Sequence, residues 1–448
     1  MRTSFFVLVA SATVVAACDT SDGTQDLGSA GTNAVSGGAS SSGGHATAAG
    51  NPSGGAAIAG GAAEAGGQAS SVAGSPAAGG AATGGTPSVA GAPGTGGAMS
   101  VGGASGLGGA SGAHTNGGAS GSGGSSSNDG PCDIYESAST PCVAAHSTVR
   151  ALFRSFSGNL YQVRRASDKT TKDVAVLSPG GYANSATQDT FCAGTTCTIS
   201  EIYDQSAQAN HLTVTPPGGW LANGGTEAKA TAAKITVGGH AVYGVYTTGS
   251  FDEAVGGVGY RNNKTKGLAT GDQPEGIYMV ASGKHYNQYC CFDYGNAETN
   301  NKDNGPGTME ALYFGNSTQW GKGSGTGPWA MADLEDGVFA GGSFAAPATN
   351  TSLVVTFVTA MLGGKAGSFR LKGGDAQSGT LKTMYDGARP SGGYNPMRKE
   401  GAIVLGVGGD NSHTGEGTFF EGCITAGYPS DASDNAVQAN IVAAGYGR

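Results

Sequence analysis

The chain has 448 residues, of which 12% are charged, and a formal charge of −9. A mildly acidic chain without a basic stripe is a poor partner for nucleic acid. Its leading apolar run, Phe5 to Val15, is too short to cross a bilayer as a helix.

Met1-Arg2 is a short basic start, and the apolar run ends in Val14-Val15-Ala16-Ala17-Cys18. Small residues before a cysteine in that place read as a lipoprotein signal over residues 1–17. Lipid on Cys18 would anchor the chain to a membrane without spanning it. The alternative is an ordinary secretory signal. Either way the product is exported: a lipoprotein at the cell surface or in the periplasm, or a secreted protein.

Residues 18–130 are mostly Gly, Ala, Ser and Thr, with no Phe, Tyr, Trp, Lys or Arg. Such a segment buries too little apolar surface to offset its ordering entropy, so it is expected to be a disordered tether. It has no Gly-X-Y period, which excludes collagen. Residues 1–130 set Arg2 against five acidic residues, which leaves a charge of −5 for residues 131–448. That length suits one large β-sandwich or barrel.

Within residues 131–448, Thr140 can cap a helix with Pro141 at its first position, and Val143, Val149, Leu152 and Phe153 keep roughly helical spacing. Strands are expected at Leu160–Arg164, Ile277–Ala281, Met309–Phe314, Leu353–Val358, Ser368–Lys372, Ile403–Val407 and Thr418–Ile424, separated by Gly, Asn and Asp clusters. A last helix follows Ser430 or Asp431, with Ala436, Val437, Ile441 and Val442 on one stripe. Many strands with glycine-rich loops indicate an all-β, antiparallel sandwich with a few short helices. Ile202-Tyr203-Asp204-Gln205-Ser206, followed by Asn210-His211-Leu212, resembles a pattern of concanavalin-like (jelly roll) sandwiches.

Eight cysteines are present. Apart from Cys18 they fall into three close pairs, and in an exported chain such pairs favour disulfides. The pairing expected is Cys132–Cys142, Cys192–Cys197 and Cys290–Cys291, with Cys423 free and buried in a strand. A metal site is the alternative, but no Cys-x-x-Cys spacing or His cluster accompanies the cysteines, so no metal is expected.

Glycosidic hydrolysis needs two carboxyl groups across the anomeric carbon. The candidates are Asp293, Glu298, Glu310, Asp333, Glu335, Asp336, Asp375, Glu400, Asp410, Glu416 and Glu421. Most acidic residues in such loops are solvated charges or turn formers. Asp333 and Glu335 are two apart, so a strand would point both to one face. Asp410 follows Gly408-Gly409, where backbone can approach a ligand closely.

Three stretches carry a family likeness: Cys290-Cys291-Phe292-Asp293-Tyr294-Gly295-Asn296-Ala297-Glu298, Trp329-Ala330-Met331-Ala332-Asp333-Leu334-Glu335-Asp336-Gly337 and Gly408-Gly409-Asp410-Asn411-Ser412. Pro131-Cys132-Asp133-Ile134-Tyr135, Asp189-Thr190-Phe191-Cys192 and Tyr394-Asn395-Pro396-Met397 extend it over nearly all of 131–448. Residues 131–448 therefore resemble the catalytic domain of the family 54 α-L-arabinofuranosidases.

That resemblance implies a concanavalin-like sandwich and a retaining, exo-acting enzyme that removes α-L-arabinofuranosyl residues from arabinan, arabinoxylan or their oligosaccharides. It implies Glu335 as nucleophile and Asp410 as acid/base. A bridged Cys290–Cys291 would pack against the sugar, and Asp333, Trp320 and the Gly409 backbone would contact it. The reading is a monomer without metal or organic cofactor, partnered by an arabinose-containing glycan and, through Cys18, a membrane. Three departures stand out. Asp336 follows the nucleophile where the family usually has Asn; its charge is expected to raise Glu335 or alter a hydroxyl contact. The sequence stops at Arg448, without the arabinose-binding trefoil common in the family. Cys423 replaces an aliphatic residue. The rival readings are a non-catalytic glycan-binding protein, or a glycosidase for another sugar such as a galactofuranoside or xyloside.

Overall fold

The computed structural model describes residues 129–448. The signal, Cys18 and nearly all of the glycine-rich segment lie outside the described residues.

Two antiparallel sheets build the described part. The first runs in the spatial order Ser378–Ala388, Ser368–Asp375, Phe357–Lys365, Glu275–Tyr286, Gly417–Ala426, His240–Thr247 and Ala233–Val237, with Cys142–Ser147 also paired to Gly417–Ala426. The second runs Val338–Phe339, Trp329–Asp333, Glu310–Gly315, Asp293–Ala297, Ala402–Leu405, Tyr260–Asn262, Leu212–Val214, Cys197–Ile202, Asn159–Arg165 and Thr171–Ala175. The inner faces share one apolar core, in which Met279, Phe369 and Phe419 of the first sheet meet Tyr294, Leu312 and Phe314 of the second. The rings of Tyr294 and Phe419 lie 5.0 Å apart across it. This is a β-sandwich, packed as two facing sheets.

The helix expected from Thr140 is absent. Cys142–Ser147 is a strand, buried at every position beside Gly417–Ala426. A strand covered on both faces has no alternation, and its apolar run was open to a helical reading. The helix lies earlier, at Pro131–Ser137, with Pro131 in its first turn and the Asp133 carboxylate accepting from Gly130 N–H at 2.8 Å. The strand expected at 353–358 begins only at Phe357. The last helix, Asp431–Ala444, is capped by Ser430, whose hydroxyl accepts from Ser433 N–H at 3.1 Å. Asp204 organises its loop by accepting hydrogen bonds from the Ala145, Ser206 and Asn210 amides.

Disulfides join Cys132 to Cys142, Cys192 to Cys197 and Cys290 to Cys291. Cys423 is free and buried in the Gly417–Ala426 strand.

Candidate active site

Alternation along four short strands of the second sheet separates core from site. Tyr294, Leu312, Phe314, Ala330, Ala332, Ile403 and Leu405 enter the shared core. Their neighbours Asp293, Tyr313, Met331 and Asp333 therefore face the opposite side. Asp333 pairs in register with Ala311, and Asp293 with Tyr313.

Glu335 does not share a strand face with Asp333. The strand ends at Asp333, and Glu335 and Asp336 are left-handed, at φ 62° and 54°. Asp333 Oδ1 accepts from Glu335 N–H at 3.2 Å, and Leu334 N–H donates to Gly337 O at 3.1 Å. A tight turn, not strand alternation, brings the two carboxyls together. Non-glycine residues in this conformation are uncommon, and strain of this kind concentrates at functional sites.

The Gly408–Ser412 loop meets this turn. A Cβ on Gly409 would collide with the Glu298 carboxylate and lie 2.8 Å from Glu335 Oε2, so only glycine fits. Arg261, fully buried, donates to Gly409 O at 2.7 Å, to Asn411 Oδ1 at 2.9 Å and to Glu298 O. Ser412 N–H donates to Asp410 Oδ1 at 2.8 Å. Thr414 bonds Cys290 O through its amide at 3.0 Å and its hydroxyl at 2.8 Å. The bridged Cys291 sulfur lies 3.3 Å from Asp333 Oδ2 and 3.5 Å from Ser412 Oγ.

Asp293, Glu298, Asp333, Glu335 and Asp410 thus crowd together, with the buried Arg261 close to Glu298, Glu335 and Asp410. Burial raises the Glu335 carboxyl, and Glu298, Asp333 and Asp410 push it further, to about 11. Burial lifts Asp333 to about 7 and also raises Glu298. Asp293 is held well above its ordinary range by burial and then by Asp333. Arg261 falls to about 10, its burial outweighing the nearby acids. Carboxyls this close cannot all ionise, so the cluster holds protons at neutral pH and titrates as a unit. Asp336 stands apart from this set: its carboxyl is raised by burial and then by Asp303, and it is not among the leading charges acting on Glu335.

Above the acids opens a cleft lined by Cys290, Cys291, Trp320, Asp333, Glu335, Asp336, Gly409 and Asp410, the residues expected from the sequence to act on or contact a sugar. Trp220, Phe251, Glu253 and Asp303 complete its rim. The remaining candidate acids lie elsewhere. Glu310 is paired with Lys399 at 2.7 Å and Arg389 at 2.9 Å, and Glu421 with Arg150 at 2.6 Å. Glu400 holds Thr299 and Asn304 at the surface. Sequence reasoning missed Arg261, Trp220 and Phe251. A lone arginine in the short Tyr260–Asn262 strand was a signal for the first; nothing local marked the other two. Cys290, Cys291 and Asp333 place ligand-type atoms within 4.8 Å of one another, but sulfurs bonded to each other are not thiolates and do not make a cysteine metal site.

Clustered carboxyls beneath an aromatic-rimmed cleft on a β-sandwich define a site of the glycoside-hydrolase type. The profile of the family described as "Alpha-L-arabinofuranosidase B, catalytic" matches residues 131–447, and the chain belongs to that family. A probable α-L-arabinofuranosidase B of Aspergillus fumigatus is 57% identical over 322 residues, covering 71% of this chain and 62% of that protein. An α-L-arabinofuranosidase of Hypocrea jecorina is also 57% identical, over 71% of this chain and 63% of its own length. The chain thus spans about three fifths of the length of these curated relatives. Among solved structures, a GH54 α-L-arabinofuranosidase variant soaked with 4-nitrophenyl α-L-arabinofuranoside is 53% identical, with a TM-score of 0.68, covering 71% of this chain and 66% of that one. An arabinofuranosidase complexed with arabinofuranosyl-α-1,2-xylobiose has the same identity and TM-score, over 71% of this chain and 65% of its own.

Proposed function

We propose that the chain is an exo-acting, retaining α-L-arabinofuranosidase acting on terminal arabinofuranosyl groups of arabinan, arabinoxylan or their oligosaccharides. The observation that carries this reading is the convergence of Glu335 and Asp410 in one cleft, with Asp333 between Glu335 and the Cys290–Cys291 disulfide.

Glu335, as the carboxylate, attacks the anomeric carbon. Asp410 donates its proton to the glycosidic oxygen as the bond breaks. Asp410 then takes a proton from water, which attacks the same carbon and releases arabinose with Glu335 restored. Glu335 attacks as the carboxylate, so in the working state the proton that burial and the neighbouring acids favour on Glu335 rests on a buried neighbour such as Asp293. The Cys290–Cys291 disulfide supplies a stiff apolar plate under the sugar, and Asp333 accepts from a sugar hydroxyl. Trp320 faces the sugar with its ring, and Gly409 lets the backbone come close.

Hydrolysis of 4-nitrophenyl α-L-arabinofuranoside by the full chain, beside Glu335→Gln and Asp410→Asn, is the test. Turnover by the parent and loss of at least about 10³-fold in both variants supports the assignments. A folded parent that binds arabinan without turnover favours a glycan-binding protein. Anomer-resolved NMR of the released arabinose decides retention.

We also propose that the chain is exported, signal-processed before Cys18 and lipid-anchored there, with residues 18–130 as a tether to a catalytic domain at 131–448. The disulfides and the Val14-Val15-Ala16-Ala17-Cys18 sequence support this. Loss of membrane association on Cys18→Ala is the expected result; unchanged fractionation would reject the anchor.

A further inference from the structure

Two exposed rings on the cleft rim have no role in the scheme above. Phe251 is 73% and Trp220 59% exposed, and both line the cleft. Large aromatic rings left open on a cleft wall mark a binding surface. Phe251 is braced edge-to-face by Tyr289, with centroids 4.8 Å apart and planes at 88°.

Their anchorage shows which side of the cleft they serve. Trp220 N–H donates to Asp410 O at 3.0 Å, and Asn411 Nδ2 donates to Gly218 O at 2.9 Å. Ser250 N–H, next to Phe251, donates to His413 O at 3.0 Å. Both rings therefore hang from the segment Asp410–His413. Trp320 is attached elsewhere: the adjacent Gly321 lies against the Val338 carbonyl, on the segment that follows Glu335 and Asp336. The cleft thus has one aromatic edge on the Glu335 side and two rings on the Asp410 side.

A group that protonates the glycosidic oxygen sits on the leaving-group side of the bond. Resting on the glycosidase reading above, we infer that Trp220 and Phe251 form the platform for the leaving-group sugar. Their faces suit the axial C–H face of a pyranose ring. Glu253, on the Phe251 loop, also lines this cleft. Its carboxylate accepts hydrogen bonds from sugar hydroxyls and repels anions. The platform therefore selects a neutral pyranose chain over one carrying uronic acids.

The test compares kcat/KM of the full chain for methyl α-L-arabinofuranoside and for a neutral arabinofuranosyl xylo-oligosaccharide, in the parent, Phe251→Ala, Trp220→Ala and Phe251→Tyr. The preference for the oligosaccharide is expected to fall about tenfold in each alanine variant, chiefly through KM, and to be kept in Phe251→Tyr. Equal losses on both substrates, or an unchanged preference, would overturn the platform. Turnover of 4-nitrophenyl α-L-arabinofuranoside by the parent reports separately on the glycosidase reading, so the two can fail independently.

Discussion

Asp333 Oδ1 accepts the Glu335 amide at 3.2 Å while Asp333 Oδ2 lies 3.3 Å from the Cys291 sulfur. One carboxylate thus fixes the left-handed turn of the proposed nucleophile and touches the wall of the sugar pocket. Asp333→Asn keeps the Oδ1 acceptor, and Asp333→Ala removes it. We expect kcat/KM on 4-nitrophenyl α-L-arabinofuranoside to fall further in the alanine variant, by about 10²–10³-fold. Equal losses in the two variants would count against the turn as the cause.

Gly409 separates the Asp410 loop from two carboxyls. Gly409→Ala drives a methyl into Glu298 and against Glu335. A kcat loss of at least about 10²-fold is expected, because small displacements of catalytic groups are costly. Circular dichroism should show the native fold, and wild-type kcat in this variant would reject the steric argument.

Arg261 is the buried cation that ties Gly409, Asn411 and Glu298 together. Arg261→Met leaves those acceptors and the acid cluster without it. Leaving buried acceptors unpaired costs about 1–3 kcal/mol, so a clear drop in the urea midpoint is expected together with loss of activity. A variant of unchanged midpoint would mean that the loop holds itself.

The acid cluster also sets a pH dependence. Asp293 and Asp333 are raised in the folded state, so each binds its proton more tightly folded than unfolded. Their contribution is fully present below the unfolded carboxylate value near 4 and is lost as pH rises through the folded values, about 7 for Asp333. Asp293→Asn keeps a donor toward Asp333 and removes one charge. Its Tm should rise by about 2–4 °C at pH 8 relative to the parent, and by less at pH 4.5. A lower Tm at pH 8 would refute the repulsion.

Much of the site was legible in the sequence. The three acidic and glycine-rich stretches named Glu335, Asp410, Asp333, Gly409 and the cysteine pair, the family resemblance added Trp320, and all line one cleft. The strands at Ile277 and Thr418 were legible because long apolar runs between glycine breaks have few alternatives. Cys142–Ser147 was not, because a strand buried on both faces loses its period.

The sequence by itself determined the sandwich class, the paired cysteines and the residue types of the site, since these rest on local pattern and chemistry. Only the tertiary structure decided that a turn, not a strand, joins Asp333 to Glu335, that Arg261 lies under the acids, and that Trp220 and Phe251 hang from the Asp410 loop. Apart from the Asp333–Glu335 turn, those relations couple residues tens to nearly two hundred positions apart. Local propensity carries no information about them; the pairing and packing of the second sheet fix them.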